Sequence, residues 1–296
     1  MTRILVADDD RTTRLLLTEI LRDGKYAVVA VPDGVAALKK LKEDKFDLAL
    51  LDVWMPKKNG LEVLAALRKS DKKPKVIVMT SDDTPETLLS AIREEAYQYV
   101  AKPIEPKSLL ALVRETLAKT SKTLPIEVIS ARPTWVELSV PCSLEAAERI
   151  EAFMAHMKAG LSDEVQRSVG QAFHELLLNA VEWGGKLDPS RKVRISYLRG
   201  NRMVLYRIAD PGPGFKFAEL EHAAISHRAD EPTKHDEVRQ QKGLRPGGFG
   251  LLLAKANVDD LLYNEAQNEV VFVKYLDEER SAKQEAASEK PEADPD

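Results

Sequence analysis

Short apolar runs alternate with amphipathic stretches through the first 120 residues. Runs at 3–7 (RILVA), 27–31 (AVVAV), 46–52 (FDLALLD), 75–80 (KVIVMT) and 97–101 (YQYVA) read as buried strands. Residues 12–22, 34–43, 61–69, 84–94 and 106–119 place apolar side chains at helical spacing. Strands alternating with helices predict a parallel sheet covered on both faces. The functional crevice of such a sheet lies beyond the carboxyl ends of its strands. Those ends carry the unusual residues. The first strand ends on Asp8 and Asp9, the third on Asp52, the fourth on Thr80 and the fifth on Lys102-Pro103.

The rhythm changes after a polar join at 121–133, punctuated by Pro125 and Pro133. Strands are expected at 126–131, 135–140, 193–198, 203–209, 259–263 and 270–275, with a hairpin turn at Gly200-Asn201. Ser143 is placed to cap a helix over 144–158 that Gly160 stops. A longer helix begins at Ser162. Its core stripe is Val165, Val169, Phe173, Leu176, Leu177 and Val181, and Gly184-Gly185 close it. Glu175 and Asn179 are four apart and share one edge of that stripe. Residues 215–246 are polar and weakly periodic, as a lid would be. Residues 277–296 contain no aromatic or branched apolar side chain, so an acidic disordered tail is expected.

Composition narrows the class. Hydrophobic residues make up 44% and charged residues 31% of 296, which fits a globular protein of two domains. A net charge of −4 gives no bulk attraction to nucleic acid or acidic lipid. With no basic recognition helix either, no direct nucleic-acid partner is expected. No apolar run reaches spanning length, and MTRILVADDD passes straight into acids, so neither membrane nor signal peptide is expected. Cys142 is the one cysteine, which rules out an internal disulfide and fits a cytoplasmic protein.

Clustered carboxylates repel unless a cation neutralises them, and ligands that offer only oxygen suit magnesium. Asp52 beside such an ion could attack a phosphoryl donor. Thr80 and Lys102 would then grip the phosphoryl oxygens. In the second half, the carboxylate of Glu175 beside the carboxamide of Asn179 suits a hydrated divalent cation and a phosphate chain. Asp210 ends a strand in DPGPGF, where an acid can accept a bond from an exocyclic amine such as adenine's. Gly247, Gly248 and Gly250 precede a helical run whose bare amides would attract phosphate. His222, His227 and His235 match no metal-ligand spacing, and His156 and His174 read as packing or surface residues.

As a set, ILVADDD, LLDVWMPKKNGLEVL, VMTS and YVAKP resemble the receiver domain of two-component response regulators over residues 1–120. That resemblance implies a flavodoxin-like five-stranded parallel (βα)5 fold. Asp52 becomes the phospho-acceptor, and Asp8 and Asp9 join it in holding Mg2+. Thr80 and Lys102 become the switch pair, and Tyr99 the aromatic rotamer switch. It also implies a cis Lys102-Pro103 bond and an upstream histidine kinase. Glu95 departs from the pattern, because these domains often carry glycine there.

HELLLNAVEWGG, DPGPGF and GGFGLLLAKANVDDLLY resemble the GHKL ATPase fold over residues 124–276, and within it the anti-sigma-factor serine kinases. An α/β sandwich that binds ATP with a second Mg2+ is implied. Asn179 would ligate that ion and Asp210 would read the adenine amine. Gly212 and Gly214 would line the nucleotide pocket, and Gly248 and Gly250 the phosphate end and lid hinge. Glu175 becomes the general base. Trp183 departs from this pattern, since the family commonly has histidine there. Together the resemblances imply a receiver-controlled serine/threonine kinase acting on an anti-sigma-factor antagonist or sigma factor, and a homodimer fits both modules. The alternatives are an ATP-binding module that sequesters its partner without turnover, and a histidine kinase acting in trans.

Overall fold

The strands of the amino-terminal half are apolar at almost every position because both faces of their sheet are covered. In the computed structural model, which describes residues 1–68, 73–81, 84–119, 124–132, 134–157, 160–215 and 250–276, these strands form one parallel sheet. They are β1 (Arg3–Ala7), β2 (Ala27–Val31), β3 (Leu48–Asp52), β4 (Lys75–Thr80) and β5 (Gln98–Ala101), in the order β2-β1-β3-β4-β5. Helices α1 (Arg11–Asp23), α2 (Gly34–Glu43), α3 (Gly60–Leu67) and α4 (Pro85–Arg93) make the crossovers, and α5 (Pro106–Ala118) follows the last strand. Ile4, Val6, Leu48, Leu50, Ile77 and Met79 of the sheet pack with Leu17 and Leu21 of α1 and with Leu109 and Val113 of α5.

Short polar residues start the helices. Asp10, Asp33, Asn59 and Thr84 each accept a first-turn N–H, and Asn59 and Glu62 complete a reciprocal capping box. Glu95 adopts φ +62°, the left-handed region that glycine enters freely. A side chain there costs about 1–2 kcal/mol. Its carboxylate meets Arg68 at 3.1 Å and Lys73 at 2.5 Å, which offsets part of that strain.

The chain divides into two compact units, Met1–Glu127 with Ala152–Ala159, and Val128–Glu151 with Gly160–Asp296. The second sheet holds β6 (Glu127–Arg132), β7 (Trp135–Pro141), β8 (Lys192–Arg199), β9 (Met203–Ala209), β10 (Asp260–Tyr263) and β11 (Glu269–Tyr275) in the order β10-β11-β9-β8-β7-β6. Strands β7, β8, β9, β11 and β10 pair antiparallel in succession. The accompanying helices are α6 (Leu144–His156), α7 (Asp163–Asn179) and α8 (Gly250–Asn257). Alternation along β9 turns Val204, Tyr206 and Ile208 to the buried side. There Tyr206 stacks on Phe272 at 4.9 Å between centroids, with Tyr197 and Phe173 of α7 beside it.

One local expectation changes. The helix read as continuous to the glycines leaves the α-helical register after Asn179 and ends in a π-turn over Ala180–Gly184. The Gly185 N–H donates to the Ala180 carbonyl at 2.8 Å, one residue further back than an α-helix allows. The expected lid, with Gly247, Gly248, His222, His227 and His235, lies outside the described residues, as does the tail at 277–296. Among the described residues no helix is long and apolar enough to cross a membrane.

The Tyr206 hydroxyl is fully buried and has no hydrogen-bond partner among the described residues. Removing an unpaired buried hydroxyl relieves its desolvation penalty. Tyr206→Phe is therefore expected to leave stability unchanged or raise it by about 1 kcal/mol. A urea midpoint shifted downward in that variant would contradict the packing described.

Candidate functional site

Parallel register aligns the strand ends of the first sheet. Ala7 lies beside Leu51, Asp52 beside Met79 and Thr80 beside Ala101, so the next residues of each strand emerge on one edge. Asp8 is completely buried, Asp52 nearly so, and Asp9 is exposed. Ligand oxygens of the three lie within 4.8 Å of one another. Lys102 Nζ donates to Asp8 Oδ2 at 2.8 Å and to Asp52 Oδ2 at 2.7 Å. Burial pushes the Asp52 carboxyl up; hydrogen bonding and charge from Lys102 pull against that, and the net pKa is raised. Burial also disfavours the Lys102 ammonium, but its bonds to both aspartates outweigh this and raise its pKa. Three carboxylates against one ammonium leave net negative charge, which a divalent cation held by oxygen would balance. Asp8, Asp9 and Asp52 therefore fit Mg2+. The third acid of the run has another task. Asp10 Oδ2 accepts the Thr13 N–H at 2.6 Å as the cap of α1, and that bond lowers its pKa.

Thr80 is fully buried at the end of β4, and its carbonyl accepts the Lys102 N–H at 2.8 Å. Tyr99 is buried on β5, three residues before Lys102. The Lys102-Pro103 bond is cis.

The second site is assembled by close backbone approaches. Glu175 and Asn179 lie one turn apart on α7, both half-buried. Among the described residues neither side chain has a hydrogen-bond partner, so both keep their polar atoms for a ligand. A Cβ added to Gly184 would sit 2.2 Å from the Asp210 carboxylate, so the π-turn touches the end of β9. A Cβ added to Gly250 would sit 2.3 Å from Glu175 Oε2, so the start of α8 touches α7. Three stretches far apart in the chain thus meet. The Gly212 N–H donates to Asp210 Oδ1 at 2.7 Å, which leaves the carboxylate a second oxygen to offer. Burial raises the Asp210 pKa, against the opposing effects of that N–H and of Arg191. Gly214 runs at φ +84° directly against the Ala266 carbonyl. Trp183 is 44% exposed on the π-turn. The set fits a magnesium nucleotide: a carboxamide and a carboxylate without hydrogen-bond partners among the described residues, a desolvated acid, and glycines where the backbone must lie close.

Two residues at this site carry no motif signal. Arg191 Nη2 donates to the Pro211 carbonyl at 2.5 Å, and Asn268 Nδ2 donates to the Gly212 carbonyl at 2.9 Å. Turn-forming residues around Asn264 mark a bend in the sequence, but nothing there marks the loop it touches. His174 Nδ1 lies 2.9 Å from Glu151 Oε1, which accounts for it as a surface pair between α7 and α6.

The two sites suit a phosphoacceptor module joined to a nucleotide-binding module. The model of the response regulator receiver domain matches residues 4–114, and that of the histidine kinase-like ATPase domain matches residues 140–274. The DNA-binding response regulator MtrA of Mycobacterium tuberculosis (strain ATCC 25618 / H37Rv) is 31% identical over 182 residues, 62% of this chain and 78% of that protein. The transcriptional regulatory protein CpxR of Escherichia coli (strain K12) is 38% identical over 228 residues, 73% of this chain and 94% of that protein. A CheY-like receiver domain protein from Methanospirillum hungatei JF-1, solved by crystallography, shares 30% identity over 40% of this chain and 94% of its own, with a TM-score of 0.39. The chain belongs to the response-regulator family and fuses its receiver to a histidine kinase-like ATPase domain.

Gly184→Ala is expected to displace the Asp210 carboxylate and abolish ADP binding. Gly200→Ala, where the nearest atom would be 3.6 Å from the new Cβ, is expected to bind as the parent does. Calorimetric titration of both variants with Mg-ADP checks the pair. A pH dependence also follows. The folded Asp210 carboxyl takes its proton at a higher pH than an ordinary aspartate, so its acceptor oxygen is lost early on acidification. ADP affinity should fall as pH falls through that raised pKa. Fold stability from this group runs the other way: it is fully present below the ordinary pKa and lost as pH rises through the raised one. Affinity that holds constant down to the usual aspartate range would contradict the burial argument.

Proposed function

We propose that this chain is a cytoplasmic two-component signalling protein whose receiver, spanning 1–120, controls an ATP-dependent serine/threonine kinase domain spanning 124–276. An upstream histidine kinase phosphorylates Asp52. The acceptor is an anti-sigma-factor antagonist or a similar partner. One observation carries the reading: Gly184 lies against Asp210 and Gly250 against Glu175, so three separate motifs meet along one helix and its terminal turn. Asn179 holds the nucleotide's magnesium and Asp210 accepts the adenine amine. Glu175 takes the proton of the attacking hydroxyl as its oxygen bonds to the γ-phosphorus, while the bond to ADP breaks. Thr80 and Tyr99 reorganise around the charge added at Asp52. A second reading, an ATP-shaped surface that sequesters a sigma factor, draws support from Trp183, an exposed indole that neither ligates nor carries charge.

Glu175→Ala is expected to bind Mg-ADP as the parent does and to lose phosphotransfer by roughly 10²–10⁴-fold. Asn179→Ala is expected to lose magnesium-dependent ADP affinity. Labelled ATP incubated with candidate antagonists, followed by acid treatment of the product, separates the readings. An acid-stable phosphoprotein supports the kinase. Tight complex formation without transfer supports sequestration, and an acid-labile product supports a histidine kinase acting in trans.

A further inference from the structure

The turn between β10 and β11 lies against the DPGPG loop at several points. The Asp210 N–H donates to the Asn268 carbonyl at 2.9 Å, and Asn268 Nδ2 donates to the Gly212 carbonyl at 2.9 Å. The Phe215 ring meets Tyr263 edge-on at 5.7 Å. The turn is itself held by side-chain amides. Asn264 Oδ1 accepts the backbone N–H groups of Asn268 and Glu269, both at 3.1 Å. Two backbone donors fix which end of the Asn264 amide carries oxygen, because the nitrogen end cannot accept. Asn264 Nδ2 therefore faces Asn268, and donates to its Oδ1 at 2.8 Å. That in turn fixes the Asn268 amide, with Nδ2 directed to the Gly212 carbonyl.

The same relay reaches the acid. Gly212 receives the Asn268 amide on its carbonyl and donates its own N–H to Asp210 Oδ1 at 2.7 Å. We propose that Asn268, oriented by Asn264, is a positioning residue for purine selectivity: through Gly212 it sets the rotation of the Asp210 carboxylate. This rests on the nucleotide reading given above. A carboxylate free to rotate still carries charge and still bounds the pocket. It loses the directed acceptor that distinguishes an exocyclic amine from an oxo group at the same place on the ring. The Asn268 amide donates to one neighbour while accepting from the other, which a carboxylate in its place cannot do.

The experiment measures dissociation constants of Mg-ADP and Mg-inosine diphosphate by calorimetry on the full chain, the parent beside Asn268→Ala and Asn268→Asp. The aspartate variant keeps the acceptor for Asn264 and nearly the same shape, so it serves where alanine loosens the turn. Its added charge acts on both diphosphates alike and cancels in their ratio. The parent is expected to prefer ADP, and both variants to lose that preference by roughly three- to tenfold, the worth of one hydrogen bond. A parent that prefers ADP with variants that keep the preference, or that weaken toward both nucleotides in parallel, overturns the positioning role alone. A parent that binds neither nucleotide overturns the nucleotide reading, and this inference with it.

Discussion

A carboxylate at the end of a buried strand is costly to ionise, and each half of this chain is built around one. Asp52 closes β3 and Asp210 follows β9, and burial raises both pKa values. Each is restrained by a close donor, the Lys102 ammonium at 2.7 Å in one case and the Gly212 N–H at 2.7 Å in the other. The donors differ in kind. A charged partner opposes the effect of burial on Asp52 within a cluster of acids. A neutral N–H orients Asp210 Oδ1 without neutralising it.

The surroundings follow from these two acids. In the first sheet, parallel pairing brings the ends of β1, β3 and β4 to one edge, so Asp8 and Asp52 share one ammonium. In the second, the acid lies against the π-turn that follows α7. The π-turn carries Gly184 onto Asp210, and the closest atoms would be displaced by any side chain at that position. Cys142 lies under the same turn, its thiol pushed up to about 11 by burial, so it packs there as a neutral group.

Much of this was legible in the residues. Uninterrupted apolar runs such as LALLD and KVIVMT fit only a strand buried on both faces, and the parallel sheet followed from their alternation with helices. The acids and Lys102 stood out because they end such runs. Glu95 was visible as a departure from glycine, and its left-handed φ gives the departure a physical meaning. The end of α7 was less legible, because a π-turn and an α-helical turn share composition and differ by one hydrogen-bond register. Arg191 and Asn268 were not legible. Neither belongs to a motif, and each acts through a carbonyl of a loop distant in the chain.

The sequence by itself determined the elements, their order and the chemical types available, since periodicity and strand-end residues are local properties. Tertiary structure decided which atoms meet: Lys102 between Asp8 and Asp52, Gly250 on Glu175, and the Asn264–Asn268 amides on Gly212. Those contacts join residues tens of positions apart. Their geometry depends on packing between elements, and no local pattern encodes it.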